Sequence, residues 1–224
     1  NIELKDKKCP ICGNDTVEDV PVEIDWCSEC QVPVLREVSQ ADKRICPRCG
    51  GKMKYMSSDI RPVFPEERLL LEILLDRKPN EYIEKSVWAI NSRYYIDGKS
   101  VSLPSSLFKT ADVDEIARKL DENKAENGYR FFDENIKRFI EANTVRLNYI
   151  KDEAYRFINK EAAKFPEENV VISFSGGKDS TATADVVIKS LSNPNLVHIF
   201  GDTTLEFQHT VDYAKRYRED HPQA

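Results

Sequence analysis

The sequence predicts an α/β fold in which a parallel-sheet domain follows a small cysteine-rich region and a compact α+β module. Three observations in the 224 residues support this prediction. Every cysteine lies within residues 1–60, a helix and hairpin pattern occupies residues 61–130, and a strand–loop–helix–strand–helix pattern dominates residues 131–224. We therefore expect three regions with these boundaries.

The composition is that of an ordinary globular protein. Hydrophobic residues make up 40% and charged residues 32%, which argues against wholesale disorder. The formal net charge of −6 argues against a generally basic surface that coats nucleic acid. No apolar run approaches the roughly 18 residues needed to span a bilayer, and no signal-peptide pattern is present, so we expect a cytoplasmic protein that does not associate with membranes.

The cysteines form three C-x2-C pairs, namely Cys9 with Cys12, Cys27 with Cys30, and Cys46 with Cys49. Without a secretion signal, such pairs indicate a metal site more than disulfides. The second and third pairs are fifteen residues apart, the spacing of a zinc ribbon, in which two knuckles offer Zn²⁺ four thiolates in a tetrahedron. One zinc ion cannot take six ligands, so the first pair either replaces another pair or is left over.

A predicted strand over residues 31–35 favours pairing the second knuckle with the third, with iron–sulfur or redox use as an alternative. Basic residues also cluster near the last knuckle: Lys43, Arg44, Arg48, Lys52 and Lys54. These residues suggest that the protein binds nucleic acid as a partner or substrate, although most such clusters are solvated surface.

In the middle region, Pro65 and the acids after it begin a helix whose apolar residues Leu69, Leu70, Ile73 and Leu74 share one face. Residues 87–90 and 94–96 are predicted strands, and Asp97-Gly98 predicts a hairpin turn into residues 100–103. A short amphipathic helix follows over residues 112–120.

In the last region, apolar residues recur at helical spacing over residues 132–157, which predicts one long helix or two helices meeting near Asn143. Strands are predicted at 170–174 and 196–200, and helices at 180–191 and 206–218. This order implies parallel strands with helices packed on the sheet. The sequence ends after two such strands, so we expect the parallel-sheet domain to be truncated.

The glycine loop, Ser175–Ser180, joins the first of these strands to its helix and has the sequence SGGKDS. Backbone N–H groups at a helix start bind phosphates, and glycines let the backbone approach them closely. Lys178 adds positive charge, and Asp179 would orient the loop or help to hold Mg²⁺. Asp179 stands where a Walker loop needs Ser or Thr, and no G-x-G-x-x-G is present. The loop therefore predicts an ATP site, against the alternative of an ordinary Gly-Gly turn.

Residues 171–181 and 199–207 resemble the PP-loop and the second motif of the phosphoadenosine phosphosulfate (PAPS) reductase family, within the N-type ATP pyrophosphatases, over roughly the last ninety residues. The resemblance implies an adenine nucleotide alpha hydrolase-like fold. It implies that the β- and γ-phosphates are held by Ser175, Gly176, Gly177, Lys178, Asp179 and Ser180. It also places Ser173 and Phe174 beside the adenosine, and Gly201, Asp202 and Thr203 along the nucleotide, although Asp202-Thr203 alone would also suit a helix N-cap.

The intact glycine loop favours ATP, whereas PAPS reductases usually have a degraded loop and use a late cysteine, and this sequence has no cysteine after Cys49. We expect an enzyme that adenylates a substrate with pyrophosphate release, in sulfur transfer, with Lys178 and Asp179 as its catalytic residues. The alternatives are a sulfonucleotide reductase and a zinc-ribbon nucleic-acid-binding module with a nucleotide-sensing domain.

Overall fold

The structure is a computed structural model that describes residues 22–37, 44–104, 107, 111–124 and 128–223. Its contacts divide the chain into two compact units, Asn1–Thr144 and Val145–Ala224. The predicted mixture of helices and sheets is confirmed, while the division into three regions stays a prediction. None of the described helices is both long enough and apolar enough to cross a membrane.

The first unit combines two antiparallel sheets with three helices in its described part. Its strands are β1 (Val22–Cys27), β2 (Val32–Glu37), β3 (Met53–Ser57), β4 (Arg61–Pro62), β5 (Val87–Ile90), β6 (Arg93–Ile96) and β7 (Lys99–Ser102). Its helices are α1 (Pro65–Leu74), α2 (Val113–Glu122) and α3 (Gly128–Ala142). The strand orders are β2-β1-β3 in one sheet and β4-β5-β6-β7 in the other.

The two sheets of this unit meet at Trp26 on β1, which packs in a cluster with Trp88 and Tyr95 of the second sheet. The turn between β6 and β7 is the predicted hairpin turn, and its Gly98 has a φ of 77°. A Cβ atom on Gly98 would lie 2.5 Å from the indole nitrogen of Trp26. Glycine is therefore required here both by the backbone conformation and by the indole.

Helix α1 begins at Pro65 as predicted, but its buried face differs from the predicted apolar one. Leu71 and Glu72 are fully buried, whereas Ile73 and Leu74 are only partly buried. The Glu72 carboxylate accepts hydrogen bonds from Arg68 at 2.7 Å and from the backbone N–H groups of Asn80 and Tyr82. A buried carboxylate with these donors fixes the turn after α1.

The helical stretch after residue 128 is broken at Asn143, which confirms the two-helix alternative. The Asn143 side chain is 2% exposed, donates to the carbonyls of Pro33 and Phe139, and accepts from the N–H of Leu35 at 2.7 Å. These bonds fasten the end of α3 to β2. Ala142 joins the core that contains the cysteines, so α3 completes a core that the ribbon lacks by itself.

The second unit contains most of α4 (Thr144–Ala162), a 3₁₀ turn (Glu167–Asn169), and then β8 (Val171–Ser173), α5 (Lys178–Leu191), β9 (Val197–Ile199) and α6 (Gln208–Asp220). The strands β8 and β9 pair in parallel, with Ile172 opposite His198. Ile172 is buried while its neighbours on β8 are exposed, so helices α5 and α6 cover one face of the pair. A larger parallel sheet, and the expected truncation, stay predictions.

Candidate functional site

The glycine loop begins one residue after β8 ends and runs into the first turn of α5. Phe174, between strand and loop, is 3% exposed and anchors the loop in the core of the unit. Gly177 is the N-cap of α5 and gives no side-chain cap, so the first N–H groups of the helix are free to meet a ligand. The positive end of the helix dipole lies at the same point.

Gly176 brings the loop against the start of α6. Its φ is 73°, and a Cβ atom there would lie 3.1 Å from the Thr210 methyl group and 3.8 Å from the ring of Phe200. The missing side chain therefore serves packing within the unit as well as backbone freedom. Sequence reasoning assigned Gly176 to phosphate contact and to an unusual backbone conformation, but it missed Thr210, since nothing local marks a contact between distant residues.

Hydroxyl groups shape the loop from within. The oxygens of Ser175 and Ser180 lie 3.1 Å apart, and Ser180 donates to the carbonyl of Gly177 at 3.0 Å. Thr181 donates to the same carbonyl at 2.9 Å and lies 3.1 Å from the hydroxyl of Tyr213 on α6. The loop thus holds its own conformation before any ligand binds.

Lys178 and Asp179 project from the loop into solvent, with side chains 88% and 89% exposed. The Lys178 ammonium lies 2.5 Å from a carboxylate oxygen of Asp179. Each charge thus offsets the other. An anion can pair with Lys178 only if the carboxylate of Asp179 leaves Lys178 and pairs with another cation.

The segment after β9 holds the other predicted nucleotide residues. Asp202 accepts from the N–H of Thr204 at 2.8 Å, and the hydroxyl of Thr203 donates to Glu206 at 3.1 Å. Helix α6 has Phe207 as its N-cap, so Asp202 and Thr203 build a turn rather than cap this helix. A Cβ atom on Gly201 would meet open space.

Gly176 and Lys178 of the loop line a cavity of about 790 Å³. A second cavity, of about 370 Å³, brings two of these predicted residues, Phe174 and Asp202, together. Phe200 forms part of its wall, and Lys215 and Arg218 of α6 contribute positive charge. Its aromatic surface continues through Tyr217, whose ring centroid lies 4.3 Å from that of Phe174. The structure leaves Ser173, Gly201 and Thr203 exposed and outside this lining. The cavity combines an aromatic surface with charge of both signs, which suits an aromatic ligand that carries an anionic group.

Residues 169–222, which include the loop and this cavity, match the family model of the phosphoadenosine phosphosulfate reductase domain. The resemblance is thereby confirmed. An uncharacterized protein of Methanocaldococcus jannaschii is 33% identical over 86 residues, which are 38% of this chain and 20% of that protein. The match therefore spans about a fifth of that relative. No solved structure matches the chain. The family indicates nucleotide-binding, sulfur-related enzyme chemistry in this segment.

Outside the phosphoadenosine phosphosulfate reductase domain, the structure brings Cys27, Cys30, Cys46 and Cys49 together, with all four sulfurs within 4.8 Å of one another. The Cys27–Cys49 and Cys30–Cys46 sulfur distances are 3.5 and 3.8 Å. Four sulfurs at about 2.3 Å from a central zinc ion are about 3.8 Å apart, so the donor set fits tetrahedral Zn²⁺. The remaining pair, Cys9 and Cys12, lies outside the described residues.

Burial governs the protonation of the cluster without metal. It raises the pKa of the Cys27 thiol to about 12 and also raises the pKa of Cys30. Cys49 is exposed, and the N–H of Gly51, 3.4 Å from its sulfur, lowers its pKa. Both buried thiols are therefore neutral near pH 7, and a metal ion that binds them must displace their protons.

The predicted basic cluster is partly neutralised in the structure. Arg44 pairs with Asp25 and Glu23, and Arg48 pairs with Glu141 at 2.9 Å. Lys54 and Tyr55 are exposed on the edge strand β3, and Lys52, directly before that strand, is exposed as well, while Lys43 lies outside the described residues. The surface available to nucleic acid is therefore smaller than the sequence indicates.

Proposed function

We propose that the phosphoadenosine phosphosulfate reductase domain of this chain binds ATP·Mg²⁺ at the glycine loop and adenylates an acceptor with release of pyrophosphate. The observation that carries the proposal is the start of α5, where two glycines precede a helix whose first N–H groups have no side-chain cap. Such a start offers several donors and a positive dipole to a polyphosphate without obstruction.

Lys178 and Asp179 have complementary roles in this proposal. Their mutual ion pair at 2.5 Å leaves little net charge at the loop in the absence of ligand. With ATP·Mg²⁺ bound, Asp179 would hold the metal ion or orient the loop, and Lys178 would pair with the phosphates. Loop N–H groups and Lys178 then offset charge that accumulates on the departing pyrophosphate.

The nucleoside has a place beside the loop in the cavity lined by Phe174, Phe200 and Asp202. Because Phe174 directly precedes the loop, an adenine held there leaves its phosphates near the start of α5. The aromatic rings would stack on the base, and Asp202 would accept a hydrogen bond from the sugar or base. In this arrangement Ser173, Gly201 and Thr203 flank the site without lining the cavity.

Calorimetric titration with ATP, with and without Mg²⁺, tests the site. Lys178→Ala should weaken binding about tenfold, the worth of one charge-assisted contact, with unchanged stability because the side chain is exposed. Lys164→Ala is the control, since Lys164 is exposed in the same unit and pairs with Glu161. Asp179→Asn should lower affinity chiefly when Mg²⁺ is present. Equal ATP affinity in all three variants would refute the site.

The reaction is tested by measuring pyrophosphate formation from ATP with candidate acceptors. Turnover to ADP and phosphate alone would contradict adenylation. A sulfonucleotide reductase is the second candidate, favoured by the family of the matched domain. Clear preference for PAPS over ATP in the same titrations would support the reductase and overturn the ATP proposal.

For the cysteine cluster we propose a structural Zn²⁺ held by Cys27, Cys30, Cys46 and Cys49, because the sulfur distances fit a zinc tetrahedron. The ion would link two knuckles from separate parts of the ribbon and stabilise the first unit. Elemental analysis of the purified chain should find zinc, and a Cys27→Ser/Cys46→Ser variant should lose it. Iron with a visible absorption band would instead indicate an iron–sulfur centre.

A nucleic-acid surface on β3 is a further candidate function, favoured by Lys52, Lys54 and the exposed ring of Tyr55. A base can stack on such a ring while the lysines contact phosphates. Binding of single-stranded RNA should weaken with salt and fall at least fivefold in Tyr55→Ala. RNA binding that is unchanged in this variant would contradict the surface.

A further inference from the structure

With a zinc ion bound, the cysteine cluster would have a net negative charge that the hydrogen bonds to its sulfurs offset only in part. A divalent ion with four thiolates has a net charge of −2. Three of the four cysteines are buried, and burial makes net charge costly. Backbone N–H groups of Cys30 and Gly51 donate to cluster sulfurs at 3.4 Å each, but neither brings a full positive charge.

Arg48 brings a full charge to this cluster. It lies inside the third knuckle, and its guanidinium Nη1 is 3.6 Å from the sulfur of Cys30, which belongs to the other knuckle. The Nε atom of the same group donates to Glu141 on α3 at 2.9 Å. One side chain thus touches a metal ligand with one edge and a helix with the other.

Neutral contacts also join helix α3 to the ribbon in the described part of the chain. Asn143, directly after the helix, bonds to backbone groups of β2, and Ala142 packs in the core with the cysteines. The ion pair with Glu141 is the charged contact that the described residues show between knuckle and helix. It orients the guanidinium and lets the helix respond to the charge of the cluster.

We propose that Arg48 is a positioning residue of the metal centre: it neutralises the thiolate cluster at Cys30 and, through Glu141, couples metal occupancy to helix α3. The proposal rests on the proposed zinc site. Loss of the metal would remove the negative charge that Arg48 offsets, and the helix would lose part of its attachment. Contacts around ligands of this kind typically contribute about 10–100-fold to metal affinity.

The experiment measures how fast a chelator removes zinc from the full chain, and the thermal unfolding of the metal-bound and metal-free forms. Arg48→Ala should release zinc at least about tenfold faster, and Arg48→Lys, which keeps the charge, should recover part of the difference. Glu141→Gln, at a side chain 41% exposed, should show an intermediate effect without risk to folding. Arg118→Ala, which loses an exposed pair with Glu122 in the same unit, is the matched control.

The metal-free forms separate this role from a purely structural one. Arg48→Ala should lower the unfolding temperature of the zinc-bound chain by more than that of the metal-free chain, which loses only the exposed ion pair with Glu141. Release at the wild-type rate, or equal shifts in both forms, would overturn the proposal while leaving the zinc site standing. A wild-type chain that binds no metal would overturn both.

Discussion

Replacing Gly176 by alanine should unfold the second unit more easily, for two reasons visible in the structure. The backbone φ of 73° costs an L-residue about 1–2 kcal/mol, and the new Cβ would lie 3.1 Å from the Thr210 methyl group. Crowding of this size adds up to roughly 1 kcal/mol if the neighbour moves by a few tenths of an ångström. We expect a loss of about 1–3 kcal/mol in the free energy of unfolding.

Two other glycines of the unit provide matched controls. A Cβ on Gly201 meets open space, and one on Gly177 meets only the Ser175 hydroxyl, at 3.6 Å. Neither has a positive φ, so alanine should leave stability unchanged or raise it slightly. We still expect Gly177→Ala to weaken ATP binding, because the proposed site needs the phosphates to approach the backbone closely at the start of α5. Measurements of stability and of ATP binding therefore distinguish Gly176, which supports the fold, from Gly177, which leaves room for the ligand.

The assay uses the placement of the tryptophans. Trp26 and Trp88 both lie in the first unit, so their fluorescence during urea unfolding reports that unit and serves as an internal control. Hydrogen exchange of β8 and β9 reports the second unit. Adding Thr210→Ser to Gly176→Ala should recover the crowding cost but not the backbone cost. If Gly176→Ala unfolds at the same urea concentration as Gly201→Ala, the reasoning is refuted.

Three further changes concern the first unit. Gly98→Ala would place a side chain at a positive φ and bring its Cβ to 2.5 Å from the Trp26 indole. We expect at least about 2 kcal/mol of destabilisation and altered tryptophan fluorescence. A wild-type spectrum and stability would contradict this expectation. Asn143→Ala leaves two backbone groups of β2 without their hydrogen-bond partner. The free energy of unfolding, measured with urea, should fall by about 2–4 kcal/mol. A loss under about 1 kcal/mol would show that water replaces the amide. Hydrogen bonding by Arg61 lowers the pKa of Glu67 below its usual 4.5. The pair therefore contributes stability above that pH, and this stability is lost as the pH falls through the lowered pKa. Glu67→Gln should flatten the dependence of the free energy of unfolding on pH between 5 and 3, and an unchanged slope would contradict the assignment.

The elements that could be predicted from the sequence are those marked by local chemistry. Pro65 begins α1, Asp97-Gly98 forms the hairpin turn, and the helical pattern breaks at Asn143, all as local signals indicate. The glycine loop and the paired cysteines belong to the same class, because their spacing along the chain nearly determines their geometry. Predicted strand and helix ends differ from the observed ones by a few residues.

The features that the sequence could not show depend on distant partners. Glu72 interrupts an apolar run of the sequence, yet it is fully buried, and its carboxylate accepts hydrogen bonds from backbone donors of the following turn. Arg48 was grouped with a basic surface patch, but its partner Glu141 lies 93 residues away. No periodicity or motif reports such pairs, because the fold alone brings them together.

In both candidate sites a local motif is supported by a distant residue, and this explains why the sequence alone could suggest a ligand class for each site but not its geometry. In each, a short local motif supplies the groups that would touch the proposed ligand: the N–H groups of the glycine loop, or the thiolates of the knuckles. In each, one distant residue lies against the motif: Thr210 lies next to Gly176, and Glu141 accepts a hydrogen bond from Arg48. Substitution within the two motifs therefore tests the identity of the ligand. Substitution of the two distant residues tests how rigidly the fold presents the site, and we expect it to alter affinity and release rates without changing the identity of the ligand.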